Sequence, residues 1–305
     1  MPLNLNGICA IAALTLAALA ITGCGGTNAL TRSPGTTTTQ LTSTTGSSTG
    51  TSSSSGSSAG SSGSAGSSGS GTSGSGGSNG NAPLPPAGAT VISNIQNQPG
   101  WQTCGGCGND GGGGTGPNYG LTQGLSSPSL SGGSTDFWIH GGPAFTGGYY
   151  FIEQPPVANP VSYLRYEFDV YVPGQYASAP QALEFECQQN ANGYTYNYAW
   201  QADYASKTWR VFNYTTKNWE GTSIAFQPFA PDTWHHIIAI YHASGTQIFH
   251  DSITVDGVTH NANIVHDALF TGNGPELTNA FQVDLDGSST PYDVYVDNMK
   301  VSLAD

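Results

Sequence analysis

Residues 231–257, PDTWHHIIAIYHASGTQIFHDSITVDG, restrict the possible folds more than any other stretch of this chain. Pro231 and Asp232 mark a turn, residues 234–241 are rich in β-branched and aromatic side chains, and Ala243-Ser244-Gly245 closes the run. A second run over residues 246–255 ends in Asp256-Gly257, a strong signal for a tight hairpin between apolar residues. The pattern predicts an antiparallel unit. No stretch after residue 87 carries a sustained helical period, so the folded part is expected to be all-β.

Further strands are expected over residues 91–95, 137–140, 149–153, 163–172, 182–188, 194–201, 207–214 and 217–226. Side chains alternate across a strand, so Tyr166, Phe168, Val170 and Val172 share one face while Arg165, Glu167, Asp169 and Tyr171 share the other. By the same parity Leu183, Phe185 and Cys187 oppose Glu184, Glu186 and Gln188, and Tyr194, Tyr196, Tyr198 and Trp200 share a face.

Ahead of this part lie two segments of different character. Residues 1–24 read as an export signal, because the apolar run over residues 8–21 is short for a membrane span and small residues follow it. Residues 25–86 form a tether: most of it is Ser, Gly and Thr, which bury too little surface to offset the entropy of ordering. As a flexible coil it spans on the order of 40 Å. Residues 87–305 are then one β domain of ordinary size.

The chain has 19 acidic and 6 basic residues, a net charge of −13, and every acid lies after residue 87. Such a surface repels nucleic acid, anionic lipid and polyanionic glycans unless calcium intervenes. Among the five cysteines, Cys104 and Cys107 form a CxxC. Zinc would need two more ligands, and a redox motif would need a helix starting at Cys104, whereas Cys107 runs into Gly108-Asn109-Asp110-Gly111-Gly112. A local disulfide is the expectation, with Cys187 left as a buried thiol.

Trp234-His235-His236-Ile237-Ile238-Ala239 followed by Ile253-Thr254-Val255-Asp256-Gly257, with the closing run over residues 292–301, resembles the laminin-G-like members of the concanavalin A-like lectin and glucanase superfamily. The resemblance implies a jelly roll, an antiparallel two-sheet β-sandwich, in a superfamily of enzymes, lectins and adhesion modules. Separately, Ile21-Thr22-Gly23-Cys24 resembles a bacterial lipobox. That implies cleavage before Cys24, acylation of its thiol and attachment to a membrane, and Gly25 after it favours the outer membrane or cell surface.

Glu184-x-Glu186-x-Gln188 resembles the Glu-x-Asp-x-Glu strand of laminarinase-like glycosidases, which puts Glu184 at the nucleophile position and Gln188 at the acid/base position. An amide has no proton to give a leaving oxygen, so hydrolysis would need rescue by Glu167 or Asp169. A binding role for Glu184, Glu186 and Gln188 is the leading expectation, with Tyr196, Tyr198, Trp200, Trp209 and Trp219 offering rings for sugar faces to stack on. Asp284 and Asp286 precede a turn with Asp297 near in sequence, a density of oxygen ligands suited to calcium. The seven histidines lack metal-ligand spacing and are read as structural. The chain is therefore expected to be a lipid-anchored binder of a polysaccharide or glycoconjugate. A glycoside hydrolase or polysaccharide lyase using Glu184 and Glu186 is the alternative, and a cell-surface adhesion protein is a further one.

Overall fold

The computed structural model describes residues 82–103 and 117–305. They form two antiparallel sheets, and among the described residues only two short 3-10 turns, Ile95–Asn97 and Gly174–Tyr176, are helical. The first sheet runs in the order β13 (Val258–Asp267), β12 (Gln247–Val255), β11 (Trp234–Ser244), β6 (Tyr163–Tyr171), β16 (Tyr292–Ala304), β4 (Ser134–Ile139) and β3 (Tyr119–Leu125), with β1 (Thr90–Ile92) also on β16. The second runs β10 (Asn218–Ala225), β9 (Thr208–Asn213), β8 (Tyr194–Asp203), β7 (Pro180–Ala191), β15 (Glu276–Leu285), β5 (Gly147–Gln154) and β2 (Gln102–Thr103), with β14 (Leu269–Phe270) on β8. This is the jelly-roll sandwich that the laminin-G-like motif implies.

The hairpin signal at Asp256-Gly257 is realised between β12 and β13, where Val255 pairs with Val258. Asp256 has φ 49° and Gly257 φ 82°, both left-handed, as a two-residue turn matched to the twist of its strands requires. Parity along β6 and β7 holds as expected. Tyr166, Phe168 and Val170 point inward from the first sheet and Leu183, Phe185 and Cys187 from the second, and all are buried in one core. The two layers interlock through aromatic rings: Phe168 meets Phe185 at 4.9 Å and Phe137 meets Phe281 at 5.0 Å between centroids.

The outer face of the first sheet is occupied. Ala82 is buried against Ile238 and Ile240, and the Pro83 carbonyl accepts hydrogen bonds from Tyr163 Oη and Arg165 Nη1 at 3.1 and 2.9 Å. Packing thus begins ahead of the expected boundary at residue 87. Beside this segment Glu167 is ringed by Arg165 Nε, Lys300 Nζ and His236 Nε2 at 2.6, 3.0 and 3.2 Å, and Asp169 bonds His236 Nδ1 at 2.8 Å. Cys24, Cys104 and Cys107 lie outside the described residues.

Candidate functional site

The outer face of the second sheet has the opposite character: it is polar and continuous. Strand β7 turns Glu184, Glu186 and Gln188 onto it because Leu183, Phe185 and Cys187 are committed to the core. Register then selects their neighbours. Glu184 lies between Gln282 of β15 and Gln201 of β8. Gln282 in turn pairs with Tyr149 of β5, and Gln201 with Arg210 of β9. The resulting row, Tyr149-Gln282-Glu184-Gln201-Arg210, crosses five strands, or about 19 Å at the usual strand spacing.

Two rows flank it. On one side Glu186 sits between Ala280 and Ala199, and Ala199 packs with Phe212, Tyr214 and Trp219 in a small apolar wall. Beyond it Gln188 pairs with Thr278 and Asn197. On the other side Asp284 and Asp203 pair across Ala182. The face is recessed, since Glu184 and Glu186 retain only 8% and 9% of their free exposure.

The recess is held by an orderly set of hydrogen bonds. Gln201 Nε2 donates to Glu184 Oε1 at 2.6 Å, Gln282 Nε2 to Asp284 Oδ1 at 2.7 Å, and Asn197 Nδ2 to Glu186 Oε2 at 3.0 Å. Tyr149 Oη donates to Glu186 Oε1. Arg210 closes the row, with Nη1 3.3 Å from Asp203 Oδ2 and Nη2 donating to the Trp219 carbonyl at 2.6 Å.

Burial sets the charge states. Desolvation, reinforced by Asp284, pushes the Glu184 carboxyl well above the ordinary carboxylate range. Desolvation also raises Glu186, against the pull of the Tyr149 and Asn197 hydrogen bonds. Asp284 is pushed up to about 6, chiefly by burial. Lys217, half-buried with its Nζ over the Tyr214 ring at 3.0 Å, is lowered to about 8 by burial even though Glu186 favours its charged form. Gln188 Oε1 and Asn197 Oδ1 are buried with no hydrogen-bond donor.

Four of the five expected aromatic rings are elsewhere. Tyr196, Tyr198 and Trp200 do share a face, but Trp200 pairs with Phe185 and Tyr198 with Cys187, so that face is the core. Trp209 packs inward against Trp200 and Phe226. Only Trp219, with Phe212 beside it, belongs to the outer face.

The expected calcium ligands are not brought together. Asp284 faces Glu184, Asp286 sits in the following turn and accepts from Ser288, and Asp297 lies on β16 of the other sheet. There it accepts from the Leu130 and Ser131 amides and from Ser129 and Ser131 hydroxyls. Among the described residues no cluster of three or more His, Cys, Asp or Glu is arranged to hold a metal ion. Glu167 and Asp169, the expected rescuers of hydrolysis, are on the outer face of the first sheet with their own cationic partners.

Several residues of the face are absent from the sequence-based expectation: Tyr149, Asn197, Gln201, Asp203, Arg210 and Gln282. Asn197 and Gln201 carried a legible signal, being the polar parity of the strand whose other parity is Tyr196, Tyr198 and Trp200. Gln282 was hidden because residues 276–285 were not read as a strand.

No protein-family model matches the chain, and no curated protein matches it. Among solved structures, it is similar to the alginate lyase Aly36B in complex with alginate trisaccharide at 12% identity, over 61% of this chain and 88% of that one, with a TM-score of 0.38. It is also similar to an endo-1,3-beta-glucanase from Streptomyces sioyaensis at 15% identity, over 73% of this chain and 100% of that one, with a TM-score of 0.38. A family 11 carbohydrate-binding module from Clostridium thermocellum is similar at 12% identity, over 70% and 94% of the two chains, with a TM-score of 0.33.

Proposed function

We propose that this chain binds a neutral polysaccharide or glycoconjugate strand on the outer face of the second sheet without cleaving it, and that acylated Cys24 holds it at the cell envelope. The observation that carries the reading is the uninterrupted polar row from Tyr149 to Arg210. The core makes no use of this row, and beside it Gln188 Oε1 and Asn197 Oδ1 are buried without a donor, which is unfavourable unless a ligand supplies one. Sugar hydroxyls both donate and accept, which suits alternating carboxyl and amide groups, and the Trp219 wall offers an apolar flank. The length of the row suits several linked sugars rather than one. The acids around it, on a chain of net charge −13, disfavour a polyanion.

By the resemblance to laminarinase-like glycosidases the acid/base position is held by the amide of Gln188, which supports binding over hydrolysis. One feature favours the hydrolytic alternative: burial, reinforced by Asp284, raises the Glu184 carboxyl above the ordinary range, the direction a general acid needs. Affinity electrophoresis of the full chain through laminarin, mixed-linkage β-glucan, glucomannan, xylan and alginate, with parallel assays for reducing and unsaturated ends, separates the two. Retention by a neutral polymer without products is expected. Release of products would make the chain an enzyme, and retention by none of the polymers would remove the proposal.

A further inference from the structure

At one end of the polar row the structure opens into a cleft of about 590 Å³, within the size range of small-molecule sites. Its walls come from four separate connections: Phe145 between β4 and β5, Ser178 and Gln181 at the start of β7, Asp203 to Ser206 between β8 and β9, and Asp286 between β15 and β16. Asp203 and Arg210 belong to both the cleft and the outer face, so the two are continuous.

Phe145 is the unusual member. It is a large apolar side chain left 49% exposed on a chain whose other rings are mostly buried. Its backbone has φ 62°, a left-handed conformation that is strained for a non-glycine residue and persists where the surroundings enforce it. The surroundings do so here: its amide donates to the Asp286 carbonyl at 3.3 Å, and Gly287 leaves room for the ring, since a Cβ there would come within 3.0 Å of it. The result is a fixed, exposed ring at the rim of a cleft whose walls are largely apolar, from Ala177, Pro180, Tyr204 and Pro228, with Gln181, Asp203 and Asp286 among them. Among the described residues the Gln181 side chain has no hydrogen-bond partner in that cleft. Ser206 Oγ, Asp203 and Arg210 are already bonded to one another or to neighbours, which fixes their directions.

We propose that this cleft is a further sugar subsite, in which Phe145 stacks on one ring of a neutral glycan while Gln181 and Asp286 bond its hydroxyls. The glycan then continues from the row along Arg210 into the cleft, so the chain recognises an extended polymer rather than a short or terminal unit. This rests on the assignment of the second sheet's outer face to glycan binding.

The test uses the full chain and oligosaccharides of two to eight sugars prepared from whichever neutral polysaccharide retains it. Isothermal titration is run on the native protein and on Phe145→Ala, Phe145→Gly and Gln201→Ala. Phe145→Gly relieves the left-handed backbone, so loss of the ring is read without loss of the fold.

Affinity of the native protein is expected to rise with length, and both Phe145 variants are expected to lose about tenfold on the longest ligands while keeping native affinity for the shortest that bind. Gln201→Ala is expected to weaken all lengths alike. Equal behaviour of the native protein and the Phe145 variants at every length would overturn the subsite and leave the face standing, as would an equal loss at every length. Binding of no oligosaccharide by the native protein would overturn the assignment of the face, and the subsite with it.

Discussion

Glu184 and Asp284 face each other across the β7–β15 pair, two buried carboxyl groups that perturb each other's titration. Desolvation disfavours charge on both, and two negative charges at this separation disfavour each other, so Glu184 remains protonated above the ordinary carboxyl range.

This pair makes the fold less stable in base. Its folded-state pKa values lie above those of the unfolded chain, so the folded protein holds more protons from about pH 4.5 upward and stability falls as pH rises through that window. Glu184→Gln removes the charge that has to be suppressed. Between pH 5 and pH 8 the native protein should lose about 1–2 kcal/mol more than this variant in urea titrations. Parallel losses would show that burial does not raise this pair.

His236 works in the opposite chemical sense with the same slope. Hydrogen bonds to Asp169 and Glu167 outweigh burial and raise its pKa from 6.5 to about 9. The stabilisation is complete below pH 6.5 and disappears as pH passes 9. Because the ring is more than a third exposed, His236→Gln should cost only about 1 kcal/mol at pH 6, and nothing at pH 10. A cost independent of pH would mean that the imidazole acts by packing alone.

Trp200 and Trp219 separate stability from recognition. Trp200 is wholly buried between the sheets, so Trp200→Phe should lower unfolding free energy by about 1–3 kcal/mol and leave the glycan affinity of the folded protein unchanged. Trp219→Ala should weaken that affinity about tenfold. Equal effects of the two variants on affinity would place the ligand somewhere other than beside the Phe212–Trp219 wall.

Burial pushes the Cys187 thiol far up, with the nearby Glu186 charge adding to the shift. Iodoacetamide at pH 8 should therefore leave Cys187 unlabelled in the native protein and label it once urea unfolds the chain, as mapped by mass spectrometry. Labelling without denaturant would show that the core opens at this point.

Strand β7 was legible over residues 182–188, its central part, because the alternation there is unambiguous: Leu183, Phe185 and Cys187 are committed inward and the acids follow from period two. Strand β8 was legible only in part. Parity says that Tyr196, Tyr198 and Trp200 lie together but not which way they look, and that is decided by a long-range pairing, Phe185 with Trp200, which no local pattern contains. Aromatics that also stack well on sugars made the wrong face attractive.

Strand β15 was missed because Asn279 interrupts the apolar alternation of Leu277, Phe281, Val283 and Leu285, so Gln282 and the true setting of Asp284 stayed hidden. Asp297 is near Asp284 along the chain and on the other sheet in space, a separation created by the crossover between β15 and β16. The Phe145 cleft draws on four connections distant in sequence, and its one local sign is an exposed ring in a Gly-Gly-Pro-Ala-Phe turn.

The docking of Ala82 and Pro83 on the first sheet has a mechanical meaning. The chain enters the sandwich on the side opposite the polar row, gripped by Tyr163, Arg165 and the Ile238–Ile240 patch. Tension between an anchor at the N-terminus and a polymer held on the second sheet would run through the thickness of the sandwich. It would shear the first sheet at its central strand β6 and reach β7 only through the aromatic contacts between the layers, such as Phe168 on Phe185. Force would thus be felt first by Pro83 and its two hydrogen bonds, leaving the spacing of the row unchanged until that grip gives way.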